Sequence, residues 1–166
     1  PEQRLSHADA TRLASAISQA EKVLILVTMT NPSPMLQAAL SELAKLPQVV
    51  VLTESIANLH DEAFIPTIDR VLTAIDNSEK PEFAPQLLIT MGGAPVSRMV
   101  KEFLRQYAPA EHWRVGCESH VIDTMRSLTR RLPIDAASLF TQIAPLCNPA
   151  RSQYATLWSD REVVAT

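Results

Sequence analysis

The sequence predicts an α/β fold: an open, mainly parallel sheet of about six strands with helices on both faces, a Rossmann-like three-layer domain. Two observations carry this reading. The apolar runs Val23-Leu24-Ile25-Leu26-Val27 and Val49-Val50-Val51-Leu52 show no polar alternation, as strands covered on both faces require. Between such runs lie stretches with apolar residues at helical spacing, joined by short links, so strand–helix units repeat.

The elements follow in chain order. Ser6 and Asp9 form a capping pair ahead of a helix carrying Ala10, Leu13, Ala14 and Ile17. Val23 to Val27 is the first strand. Asn31-Pro32-Ser33-Pro34 breaks it, with Ser33 as cap and Pro34 at the first helical position. Leu36, Ala39, Leu40 and Leu43 are that helix's inner stripe, and residues 48–53 form the second strand. A helix from Phe64 to Asp76 presents Ile65, Ile68, Leu72 and Ile75, and a polar connection runs from Asn77 to Pro85. Leu87-Leu88-Ile89 is a strand leading into Met91-Gly92-Gly93 and a helix from about Ser97 to Tyr107, with Val96 on its inner stripe. Residues 112–115 are a short strand with His112 and Trp113 packing the sheet edge, and 127–131 a weaker one. Asp135 caps a helix with Leu139, Phe140 and Ile143, and the tail from Arg151 is either a further helix or an outgoing linker.

Bulk properties narrow the class. A chain of 166 residues with 46% hydrophobic and 20% charged residues suits one ordered domain. A net charge of -3 argues against a nucleic-acid partner. The longest aliphatic run is too short to span a membrane, and no secretory leader opens the chain. Cys117 and Cys147 lack metal-ligand spacing and read as reduced thiols of a cytoplasmic protein. With three glycines against twelve prolines, the connections are stiff. Both ends read as cuts in something longer, with residues 1–148 as the domain and 149–166 as a tail or outgoing linker.

In such sheets ligands sit beyond the carboxyl ends of the strands. The candidate loops are residues 28–33, 53–60 and 91–98. The first lacks glycine, so a dinucleotide cradle is excluded there, and no phosphate loop of the G-x-x-x-x-G-K-[ST] type occurs. In the third, two glycines allow a sharp turn, Ser97 caps the next helix, and amides at the helix start favour an anion beside Arg98. Lys101 and Arg105 extend a basic stripe. A plain turn with a solvated basic face fits the same pattern. Asn58 and Glu54 can face the same crevice, and His60-Asp61-Glu62 read as surface residues rather than a metal cluster. No nucleophile with an oriented base is visible.

Three phrases in order add a resemblance: residues 50–59 (VVLTESIANL), residues 86–98 (QLLITMGGAPVSR) and residues 111–115 (EHWRV). Over about residues 1 to 146 they resemble the middle domain of 2-succinyl-5-enolpyruvyl-6-hydroxy-3-cyclohexene-1-carboxylate synthases, the MenD family of thiamine-diphosphate-dependent enzymes. The resemblance implies a transferase of menaquinone biosynthesis with three domains, assembled as a dimer or tetramer. Its outer domains bind thiamine diphosphate and Mg2+, decarboxylate 2-oxoglutarate and add the product to isochorismate. This fragment then holds no catalytic residue, cofactor or metal, is inactive alone, and has the other domains of its polypeptide as partners. The resemblance makes Arg98 a substrate-carboxylate contact, with Ser97 and Asn58 as further substrate-binding candidates. Where some members have a second basic residue, Met99 stands here. Some members are also inhibited by a later naphthoate of the pathway, bound partly by arginines of this domain. The Gly-Asp-Gly…Asn signature for metal and diphosphate is absent from this sequence. The alternative is a free-standing Rossmann-like module for a small anionic metabolite or nucleotide.

Overall fold

The computed structural model describes residues 4–118 and 123–165. The strands are β1 (Val23–Val27), β2 (Val49–Thr53), β3 (Phe64–Ile65), β4 (Leu87–Met91), β5 (Glu111–Val115) and β6 (Arg130–Leu132). They form one sheet in the order β3-β2-β1-β4-β5-β6, and every pairing is parallel. The expected fold class is observed. The order was not legible beforehand, because periodicity carries no information about neighbours.

Burial explains the apolar runs. β1, β2 and β4 are buried along their whole length. Val23, Ile25 and Val27 point into one core with α1 (His7–Gln19), α2 (Pro34–Leu43) and α6 (Ala136–Ile143). Leu24 and Leu26 point into the opposite core with α3 (Ile68–Ala74), α5 (Arg98–Gln106) and α7 (Tyr154–Ala165). The caps act as the sequence indicates. The side-chain oxygens of Ser6, Ser33, Ser97 and Asp135 accept the N–H of Asp9, Leu36, Val100 and Ser138.

Four local readings are corrected. Phe64 and Ile65 form the edge strand β3 rather than the start of a helix, because they pair with Val51 and Leu52; α3 begins only at Ile68. The connection from Asn77 contains a short helix, α4 (Lys80–Phe83), whose Phe83 is fully buried. Val96 lies outside α5 and is 70% exposed, since the helix starts after its cap Ser97. His112 and Trp113 are interior, because β6 covers the flank of β5 that was read as an edge.

The tail packs. Gln48, buried before β2, donates to the carbonyls of Ile17 and Asn148 and accepts the N–H of Ala150, so residues 148–150 are tied beneath the sheet. The chain then passes to the other face as α7, where Tyr154 and Trp158 are buried. Trp158 meets the rings of Phe83, Phe103 and Tyr154 edge-on at 5.3, 6.3 and 6.4 Å, and the Tyr154 hydroxyl donates to the Phe83 carbonyl at 2.6 Å. Trp158→Ala should lower stability by about 3–5 kcal/mol through the cavity it leaves. Urea unfolding of the chain checks this; a loss within about 1 kcal/mol would show that α7 is not part of the cooperative unit.

Candidate functional site at the carboxyl rim

Because β1 lies between β2 and β4, the three loops leaving these strands sit side by side at one end of the sheet. Hydrogen bonds lace them together. Between the first and third loops, Thr28 N–H donates to the Met91 carbonyl and Gly93 N–H to the Met29 carbonyl, while the Thr28 hydroxyl bonds the carbonyls of Met91 and Gly93. Between the first and second, the Thr30 hydroxyl donates to the Ala57 carbonyl at 2.7 Å and Asn58 Nδ2 to the Thr30 carbonyl at 2.9 Å.

The second and third loops are joined by a carboxylate. Glu54, only 9% exposed, accepts the N–H groups of both Val96 and Ser97 at 2.8 to 3.0 Å. These amides belong to the cap Ser97 and the residue before it, so the stretch of the turn just ahead of α5 already holds an anion of the protein's own. Neighbouring acid and amide groups bond strongly because the acceptor is charged and largely out of water.

Gly92 is fixed by two constraints. Its φ of +91° is a conformation L side chains rarely adopt, and a Cβ there would stand 2.7 Å from Thr28 Oγ1 and 2.8 Å from the Met29 carbonyl oxygen. From below, the mostly buried Arg114 of β5 bonds the Gly92 carbonyl and pairs with Glu118 at 3.0 Å.

The predicted residues divide accordingly. Arg98, first residue of α5, projects outward with its side chain 88% exposed and bonds Glu102 at 3.1 Å. Ser97 lies beside it, but its hydroxyl caps Val100 and bonds Asp69. Asn58 stands in the left-handed region (φ 58°) that ends a short 3-10 turn, and its amide ties down the first loop. A cleft of about 350 Å3 brings Arg98 and Ser97 together with Glu54, Asp69 and Arg70; Asn58 does not line it. Arg70 of α3 is a second cation on this cleft that sequence reading missed, since 28 residues separate it from Arg98 and only the packing of α3 beside α5 joins them. Lys101 and Arg105 lie farther along α5, and Arg105 is engaged with the Thr124 carbonyl. His60, Asp61 and Glu62 are exposed; Asp61 accepts from Ser41 and Ala63.

A larger cleft of about 670 Å3 opens between the loops after β1 and β4, where the strand order reverses. Its walls include Asn31, Pro32, Glu118 and Asp135. Gly92, Gly93, Gly116 and Arg114 line it too, but the loop after β1 carries Asn31 and Pro32 where a dinucleotide cradle needs glycines, and Glu118 and Asp135 oppose a diphosphate. The described residues likewise do not fit thiamine diphosphate with its metal. No group of three His, Cys, Asp or Glu side chains among them could hold a cation, and the rim amides already hold Glu54. Among them, too, no helix is long and apolar enough to cross a membrane.

Beside the rim, His112 is 3% exposed, with Nε2 2.8 Å from the Thr90 hydroxyl and Nδ1 3.0 Å from that of Ser127. Burial, seconded by Arg114 and opposed by Asp123, pushes its pKa down to about 4. Burial also pushes the Cys147 thiol up to about 11.

The fold is that of a Rossmann-like α/β domain found within larger enzymes. A chain assigned to the thiamin diphosphate-dependent enzymes of Mycobacterium smegmatis superposes on 90% of this one with a TM-score of 0.52 at 11% identity, over 30% of its own length. No protein-family model matches the chain. Several sequence relatives carry the name 2-succinyl-5-enolpyruvyl-6-hydroxy-3-cyclohexene-1-carboxylate synthase. That of Flavobacterium psychrophilum is 36% identical over 137 residues, that of Flavobacterium johnsoniae 34% over 143, and that of Desulfotalea psychrophila 32% over 130. These alignments cover 82%, 86% and 78% of this chain. The chain belongs to this synthase family. It spans about a quarter of those relatives' length, at 25%, 26% and 24%.

Two outcomes test the geometry. Gly92→Ala should cost about 1–3 kcal/mol from backbone strain alone, read as a fall in thermal midpoint; an unchanged midpoint contradicts the turn described. His112 makes stability pH-dependent with a defined sign. The unfolded imidazole titrates near its ordinary 6.5 and the folded one near 4, so the unfolded chain binds the extra proton between these values. Stability therefore falls as pH drops through this window, by about 3 kcal/mol at 1.36 kcal/mol per pH unit. Denaturant unfolding at several pH values should show this excess loss in the wild type and not in His112→Asn.

Proposed function

We propose that the chain is the middle domain of a synthase that couples isochorismate to 2-oxoglutarate decarboxylated on thiamine diphosphate, with Mg2+ and cofactor held by the other domains of the same polypeptide. In this reading residues 1–148, with α7 packed on the face of α3 and α5, are a scaffold, and the chain continues past α7 to a C-terminal domain. The assembly is a homo-oligomer in the cytoplasm, and this domain alone has no activity.

The observation that carries the reading is the display of Arg98. The guanidinium stands out from a rigid rim, flanked by the exposed apolar side chains of Val96 (70%) and Ile56 (39%). Its ion pair with Glu102 lies in solvent, and such pairs contribute about 0–1 kcal/mol. A substrate carboxylate in a less hydrated interdomain space outcompetes that partner, because charge-assisted bidentate bonds strengthen as water is excluded. Arg70, on the same cleft, adds positive charge. Ser97 and Asn58 serve this contact by fixing the rim.

In the whole synthase, Arg98→Ala should raise the KM for isochorismate by roughly tenfold to a hundredfold, equivalent to about 1.5–3 kcal/mol for one charged hydrogen-bonded contact. The affinity for thiamine diphosphate should not change. Steady-state kinetics with cofactor titration measures both, and an unaltered KM for isochorismate would remove Arg98 from the substrate site.

A further inference from the structure

We infer that Glu54 is a built-in anion that occupies the Val96 and Ser97 amides of the β4–α5 turn and thereby positions Arg98. The inference rests on the reading that Arg98 meets substrate, and adds a residue with no role in it so far. Three features support it. The carboxylate is 9% exposed and takes two consecutive N–H groups, Val96 and Ser97, at 2.8 to 3.0 Å. Its own backbone is anchored, since the Glu54 N–H donates to the Val27 carbonyl at 3.0 Å at the end of the central strand. The residues it holds directly precede Arg98, whose own side chain is tethered to Glu102 in solvent.

The chemistry is that of phosphate sites at strand-to-helix turns, with the ligand replaced by a side chain. Consecutive amides at a helix start attract an oxyanion. Here the oxyanion is carried on the neighbouring strand, so the turn is formed before any substrate arrives. An external phosphate or carboxylate finds the Val96 and Ser97 amides filled. The substrate then has only the outward cations to bind, and those cations are already aimed. Glu54 touches no substrate in this account. It acts through the backbone on the residue that does.

The test uses the full-length synthase. Glu54→Gln, which keeps one acceptor oxygen and the side-chain volume, should raise the KM for isochorismate about fivefold to tenfold with kcat altered less than about twofold. Glu54→Ala should do so more strongly, and millimolar acetate or formate should recover part of the loss by entering the vacated amide pair. Neither anion should affect the wild type. The double variant Glu54→Gln with Arg98→Ala should be no worse than Arg98→Ala alone, because a positioning residue has no effect once its target is gone. Should Glu54→Ala not fold, the Glu54→Gln cycle decides. Additive effects in that cycle, or a KM for Glu54→Gln equal to wild type while Arg98→Ala is impaired, would overturn the inference. A flat response to Arg98→Ala is different: it refutes the substrate contact itself.

Discussion

The structure depends on one constraint, that β1 is covered on all sides. It has β2 and β4 as parallel neighbours and a helical layer against each face. A strand in that position cannot carry polar groups, which explains its unbroken Val-Leu-Ile-Leu-Val sequence. Parallel neighbours also force each connection to cross back over a face. Every loop that leaves a carboxyl end therefore emerges at the same rim. Three segments distant in sequence become neighbours there without any long-range motif to specify it.

Packed loops then face their own problem, because their backbone groups lie partly out of water and must be paired. The rim solves it with few side chains. Thr28, Thr30 and Asn58 take carbonyls, while Glu54 takes two N–H groups. Gly92 is required where the third loop passes within contact of Thr28 and Met29. Arg114 reaches up from β5 to the Gly92 carbonyl. The result is a surface whose backbone is tied by hydrogen bonds and whose Arg98 side chain stands in solvent.

What was legible in the sequence follows from this division. Strands and helices with strong periodicity could be read, as could caps that act within four residues, such as Ser33, Ser97 and Asp135. The candidate loops could be placed as well, because they follow buried strands. The partners across the rim could not. Glu54 could be placed on the crevice of Arg98, but nothing near it in sequence indicates that it accepts N–H groups 42 and 43 positions away, and a free helix start was the natural reading of Ser97 without those bonds. β3 was hidden for a related reason: two residues give no period, and Phe64 and Ile65 also fit the stripe of the helix that follows. His112 and Trp113 look like edge residues until β6, a strand with two exposed arginines, is found outside them.

Of the acidic contacts at the β4–α5 turn, those of Glu54 and Glu102 have opposite energetic character, and this asymmetry bears on what the rim can do. The bonds of Glu54 are shielded, and breaking them would leave both amides and a carboxylate without partners, a cost of order 1–3 kcal/mol per group or more for the charge. The Arg98–Glu102 pair is solvated, and releasing it costs little. A ligand arriving at this surface can therefore exchange the partner of Arg98 but not the anchor of its backbone. Rigid placement with an easily exchanged partner is what a binding cation needs, since less freedom is lost when the contact forms. Had the two been reversed, with Arg98 in a buried pair and the turn held by a solvated one, the cation would have been held in place by the fold and withheld from any ligand.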